Sequence, residues 1–216
     1  MAKAVVLLSG GLDSGVAAAE FARAPDHSLA ACLWFDYGQR AAVRESEAAA
    51  ALARRWSSPF HRVELPWLAF LARRVNSRLA PGTGDLPKGT VAVPGDAASA
   101  SLVWIPGRNA VFVAIAAAWA EALGAESVVA GFNREEAATF KDNSPEFVAA
   151  AAQFLELGTR NAVRVVSPTL GWDKAEIVAA ARRLGFTADD FWSCYEGGER
   201  PCGACESCLR SRWTRS

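Results

Sequence analysis

Leu7-Leu8-Ser9-Gly10-Gly11-Leu12-Asp13-Ser14-Gly15-Val16-Ala17-Ala18 carries a short apolar run into a polar turn and out again into an alanine-rich helix. Residues 3–8 read as a buried strand, and the helix is expected from about Gly15. Glycines admit a ligand close to the backbone. A strand-to-helix turn also aims several free N–H groups at one point, ahead of the positive end of the helix. The turn therefore predicts an anion site. It is not a Walker A loop, because no Lys follows the second Gly, and the fingerprint Gly-x-Gly-x-x-Gly does not occur.

Working outward, five short runs read as buried strands: residues 3–8, 29–35, 60–65, 127–132 and 162–166. Helical stretches lie between them. Residues 40–56 are amphipathic, residues 109–123 are apolar nearly all round with Gly124 as the C′ residue, and Asp173-Lys174-Ala175-Glu176 resembles a capping box for a helix that Gly185 stops. Strands alternating with helices predict an α/β fold: a Rossmann-like parallel five-stranded sheet with helices on both faces. Residues 80–101, rich in Gly, Pro, Ala and Ser, are expected to form a long loop. Four polar signatures begin within a few residues of strand ends: Ser9 to Ser14, Asp36-Tyr37-Gly38-Gln39, Asn133 to Asn143, and Thr169 to Lys174. In an open parallel sheet those ends share one edge, so the four signatures predict one site.

The chain has 216 residues, 51% of them hydrophobic and 21% charged, which places it among globular proteins with a sizeable core. Lys+Arg and Asp+Glu balance at 23 each, so no global basic field exists to hold a long nucleic acid. The apolar runs are too short for a membrane span or signal peptide, and a cytoplasmic location is expected. Four of the five cysteines, Cys194, Cys202, Cys205 and Cys208, fall within fifteen residues. Two overlapping Cys-x-x-Cys units with a fourth thiolate suit a closed tetrahedral site, hence structural Zn²⁺; a redox pair or an iron–sulfur cluster are the alternatives. Cys32 reads as a small core residue, and His27 and His61 have no partners at ligand spacing. Residues 210–215 read as a solvated or dimer-contacting tail, and a homodimer is expected. The sequence divides into residues 1–190, the anion-binding domain, and 191–216, a cysteine segment packed on it.

Ser9-Gly-Gly-Leu-Asp-Ser14 matches the signature of the PP-loop ATP pyrophosphatases. With Asp36-Tyr-Gly-Gln-Arg40, Pro106-Gly-Arg-Asn109, Gly131-Phe-Asn133, Lys174 and the C-terminal cysteines, the chain resembles the 7-cyano-7-deazaguanine synthase family of queuosine biosynthesis from Ser9 to Cys208. The resemblance implies a ligase that converts a 7-deazaguanine carboxylate to the nitrile through an amide. It would use ATP, Mg²⁺ and ammonia, release AMP and pyrophosphate, and carry one structural zinc. It implies ATP contacts at Leu8, Ser9, Gly10, Gly11, Leu12, Asp13, Ser14, Phe35, Tyr37, Gln39, Gly131 and Lys174, with Asp13 helping to hold Mg²⁺. It places Arg108, Asn133, Phe140, Asp142 and Asn143 on the substrate. Ser9, Asp13, Ser14, Arg108 and Lys174 are the expected catalytic group. No nucleic acid or membrane partner is implied.

One stretch departs from the family pattern. Where Tyr-Pro-Asp-Cys-Arg is usual, this chain has Phe140-Lys-Asp142-Asn143-Ser144, which keeps the carboxylate and replaces the Cys and Arg. Two alternatives therefore stand beside the nitrile synthase. One is a related enzyme that couples the adenylated carboxylate to another amine. The other is a tRNA-modifying PP-loop enzyme.

Overall fold

The computed structural model describes residues 2–86, 88 and 97–210. Five strands, β1 (Ala2–Leu7), β2 (His27–Asp36), β3 (Phe60–Glu64), β4 (Ser127–Val129) and β5 (Arg164–Val166), pair in the order β3-β2-β1-β4-β5, every pairing parallel. The helices between them are α1 (Leu12–Ala22), α2 (Ala42–Arg55), α3 (Pro66–Arg74), α4 (Ala97–Val103), α5 (Arg108–Ala122), α6 (Arg134–Ala137), α7 (Pro145–Gly158), α8 (Lys174–Arg183) and α9 (Glu206–Arg210). The expected fold class is the observed one.

Side chains alternate across the strands, so each run feeds two cores. Val5, Leu33, Val128 and Val165 pack on the face covered by α3, α5 and α7, whereas Ala4, Val6, Leu8, Cys32, Trp34 and Val129 pack against α1, α2 and α8. This double burial is why the strands read as continuous apolar runs rather than alternating ones. Asp173 and Glu176 form the expected capping box at the start of α8, and Gly124 and Gly185 follow their helices at φ +62° and +73°.

Several expectations shift. Helix α1 starts at Leu12, three residues before the expected Gly15, because Gly11 already serves as its N-cap. Helix α5 is buried along one stripe (Asn109, Val113, Ala116, Ala117, Ala120), with Ala110 and Ala118 exposed; its apolar composition reflects alanine more than burial all round. The loop expected over residues 80–101 ends sooner, because α4 begins at Ala97; residues 87 and 89–96 lie outside the described residues, as do 211–216 of the expected tail. Helices α3 and α7 were not anticipated. Each has Pro in its first turn, and in α7 Ser144 caps the start by accepting from the Phe147 amide at 3.2 Å. Among the described residues no helix is long and apolar enough to cross a membrane.

The turn after β1 sits on Gly131, two residues past the end of β4. A Cβ on Gly131 would lie 2.5 Å from Ser14 N and 2.7 Å from Ser14 Cα, backbone atoms that cannot step aside singly. Gly131→Ala should therefore lower the unfolding free energy in urea by about 1–3 kcal/mol, the usual cost of overpacking. An unchanged urea midpoint would contradict this packing.

Candidate active site and metal centre

The turn is wrapped on itself before any ligand arrives. Ser14 Oγ donates to Gly11 O at 3.1 Å and accepts from Ser9 N at 3.2 Å, and it lies 2.9 Å from Ser9 Oγ. Gly11 N donates to Ser9 Oγ at 3.2 Å. Gly10 takes φ +82°, and a Cβ there would meet Glu45 O at 2.4 Å, so the turn also abuts the first turn of α2. The N-terminus of α1 has no side-chain cap, which leaves its first amides for an anion.

The turn opens on a cavity of about 280 Å³ at the carboxyl ends of the strands. Leu8, Ser9, Gly11, Leu12, Asp13, Ser14, Phe35, Tyr37, Gln39 and Gly131 line it, as do Arg108, Phe140, Asp142 and Asn143. The anticipated site residues thus share one space, with three exceptions, although the fourth polar signature, Thr169 to Lys174, contributes nothing to the lining. Gly10 faces α2, and Asn133 is fully buried, where its Oδ1 caps α6 by accepting from Glu136 N at 2.9 Å. Lys174 is outside the lining but reaches its edge, with Nζ 2.8 and 2.7 Å from the two Asp13 oxygens and 3.4 Å from Glu136 Oε1. Burial works against the lysine charge, yet Asp13 and Glu136 outweigh it and hold the ammonium protonated well above its usual range.

Arg108 stands at the first turn of α5 with its guanidinium carbon 5.9 Å from the Tyr37 ring centre. Asp142 is drawn toward Arg108 electrostatically, and burial raises its pKa despite that cation. Asn109 Nδ2 donates to Asp142 O at 3.3 Å, tying the 140s stretch to the same helix.

The sequence reading missed part of the wall: Glu45, Trp104, Trp192, Tyr195, Glu206 and Arg210 also line the cavity. The last four arrive with the C-terminal segment, which Trp192 N fastens to the turn by donating to Gly10 O at 2.9 Å. Arg210, read as part of a solvated or dimer-contacting tail, is held in α9 with its side chain only 11% exposed. It pairs with Glu206 at 2.8 Å and Glu135 at 2.9 Å. Spacing alone gives no signal for a pairing that bridges 75 residues.

The four sulfurs of Cys194, Cys202, Cys205 and Cys208 lie within 4.8 Å of one another. Cys194–Cys205 and Cys202–Cys208 are each 4.0 Å apart, close to the roughly 3.8 Å edge that Zn–S bonds of about 2.3 Å give a tetrahedron. Backbone amides of Glu196 and Cys202 donate to Cys194 Sγ, and that of Cys205 to Cys202 Sγ, all at 3.3 Å, as suits thiolates. Gly203 turns the knuckle at φ +69°. The donor set can hold one metal ion with no position left open. Cys32 is buried in the core as expected, with its thiol 3.5 Å from Ser58 Oγ.

Purified native protein should carry about one metal ion per chain, and Cys205→Ser should lose it and lower the thermal midpoint sharply. Structural metal binding is worth about 10–16 kcal/mol in small zinc-finger peptides. Metal-free protein whose melting is unaffected by Cys205→Ser would contradict a structural cluster.

The model of the queuosine biosynthesis protein QueC matches residues 3–214. The chain is 49% identical over 212 residues to a 7-cyano-7-deazaguanine synthase of Pelotomaculum thermopropionicum, covering 96% of this chain and 94% of that protein. It is 47% identical to one of Desulforudis audaxviator at the same coverage. Among solved structures, the U34-tRNA thiolase NcsA from Methanococcus maripaludis shares the fold at a TM-score of 0.51 and 15% identity, over 86% of this chain and 58% of that one. On sequence matches that run almost from end to end, the chain belongs to the QueC family of queuosine biosynthesis proteins.

Proposed function

We propose that this chain is a 7-cyano-7-deazaguanine synthase, turning 7-carboxy-7-deazaguanine, ATP and ammonia into the nitrile. The observation that carries the reading is the shared cavity, which the uncapped turn, Arg108 and Asp142 all line. The near-complete match to relatives of that name supports it.

A carboxylate is a poor electrophile, and its oxygen is a poor leaving group. Attack of that oxygen on the α-phosphate of ATP expels pyrophosphate and makes AMP the leaving group. Ammonia then displaces AMP to give the amide. The amide oxygen attacks a second ATP, and loss of the N–H protons with AMP departure leaves C≡N.

The first-turn amides of α1 and the hydroxyls of Ser9 and Ser14 would hold the departing pyrophosphate, with Lys174 neutralising charge at its edge. Lys174 has to exchange Asp13 for phosphate, which frees Asp13 and Glu136 for a divalent cation. Mg²⁺ would offset charge on the phosphates there. Arg108 orients the substrate carboxylate, and Asp142 accepts from the guanine-like N1–H and amine. Zn²⁺ in the tetrathiolate knuckle would serve structure only, holding Trp192, Tyr195 and α9 against the cavity.

Ser14→Ala should remain folded but slow AMP formation about 10²–10³-fold, as loss of one preorganised donor does. Wild-type rates in a quench-flow assay would reduce the turn to architecture.

Stoichiometry separates nitrile synthesis from coupling to another amine. Each acid converted should yield two AMP, and the amide supplied with ATP and Mg²⁺ but no ammonia should give nitrile with one AMP. A single AMP per acid, with an inert amide, would favour coupling, because a secondary amide cannot lose water to a simple nitrile.

A further inference from the structure

Nitrile formation strips nitrogen of two protons, and the last of them must leave as the C–O bond breaks, which a positioned base can assist. Five carboxylates line this cavity: Asp13, Glu45, Glu136, Asp142 and Glu206. Three are engaged by cations, Asp13 and Glu136 by Lys174 and Glu206 by Arg210, and an ion-paired carboxylate is a weakened base. Asp142 is hydrogen-bonded by Asn143 Nδ2 at 3.4 Å.

Glu45 stands apart from the three paired acids, and Asp142 is already assigned to the guanine-like edge of the substrate. Among the described residues Glu45 makes no ion pair within 4.0 Å. Its hydrogen bond is a neutral one, Gln39 Nε2 donating to Oε2 at 2.8 Å, and Oε1 accepts none among the described residues. Gln39 is itself pinned, donating to Phe35 O at 3.0 Å and accepting from Tyr37 N at 3.0 Å, so the glutamate is held by the end of β2. Its backbone abuts Gly10 of the anion turn, and its side chain shares the cavity with Arg108. The groups that bear on it are Asp36 at the end of β2, Gln39 in the turn that follows it, and Arg108 on α5. Burial, aided by Asp36 and opposed by Gln39 and Arg108, pushes its carboxyl up to about 7, where a base works best near neutral pH.

We infer that Glu45 is the general base of the nitrile-forming half-reaction. The inference rests on the nitrile-synthase reading. O-adenylation of the amide, with one N–H proton passed to water, gives the neutral imidate HN=C–O–AMP. Glu45 takes the remaining N–H proton, and that bonding pair becomes the third C–N bond. The C–O bond breaks, AMP leaves with its electrons, and the glutamic acid returns the proton to solvent.

The test uses the metal-loaded protein with the amide, ATP and Mg²⁺ and no ammonium, so that ammonia's own ionisation stays out of the profile. Wild-type kcat should rise with pH and level above about 7, following ionisation of the carboxyl. Glu45→Gln should form nitrile about 10²–10⁴-fold more slowly, the usual worth of a general base, and lose that limb. Glu45→Asp should recover part of the rate with the limb restored. Amide-dependent exchange of labelled pyrophosphate into ATP should persist in Glu45→Gln, showing that it folds and adenylates. Nitrile formation by Glu45→Gln at the wild-type rate overturns the inference. So does joint loss of exchange and nitrile, which would place Glu45 in adenylation or folding. An amide inert with the wild-type enzyme overturns the underlying reading instead.

Discussion

The contact between Gly131 and the first turn of α1 sets where everything else can stand. The chain leaves β1 toward β2 and β3, then returns to the other side of β1 with β4 and β5. That reversal opens a crevice between the carboxyl ends of β1 and β4, the position at which open parallel sheets bind ligands. Ser14 and Gly131 meet across it, closely enough that no Cβ fits between them. The glycine turn after β1 is therefore wedged over the middle of the sheet. Groups from both halves of the chain, Tyr37 and Gln39 on one side and Phe140 and Asp142 on the other, converge around it.

Charge at this crevice is arranged in advance. Asp13 and Lys174, 161 residues apart, neutralise each other with both carboxylate oxygens engaged, so neither waits unpaired in a poorly solvated place. In the proposed reaction an incoming polyphosphate with its cation would satisfy both partners again, making the exchange less costly than desolvating a free charge. The C-terminal segment adds a second layer. Arg210 pairs with Glu135, whose other oxygen accepts from the Lys174 backbone amide at 3.2 Å. The cysteine knuckle is thus connected by short polar contacts to the lysine at the edge of the cavity.

Much of this was legible because the physics is local. A buried strand must be apolar, a helix start must offer amides or a cap, and a left-handed turn favours glycine. The strands, the capping box of α8 and the cysteine knuckle follow from those rules. Helix α4 was hidden because Ala and Ser are common in both loops and helices. Helices α3 and α7 had a signal, proline just after a strand or a serine, that the apolar pattern overshadowed. Site residues were harder wherever tertiary contact decides direction. Glu45 looks like any acid in the first turn of a surface helix, and only its approach to Gln39 shows that it faces inward. Asn133 carries the opposite lesson: a polar residue just past a strand can be spent on capping its own helix.

The central claim is that the cavity aims a substrate oxygen at the α-phosphate of ATP, with pyrophosphate held in the turn after β1. The most direct measurement is oxygen tracing with the carboxylate labelled at both oxygens by ¹⁸O. The account predicts that each AMP formed carries one label, that pyrophosphate carries none, and that the nitrile product is free of oxygen from the carboxyl. Label recovered in inorganic phosphate alongside ADP, or AMP without label, would contradict it.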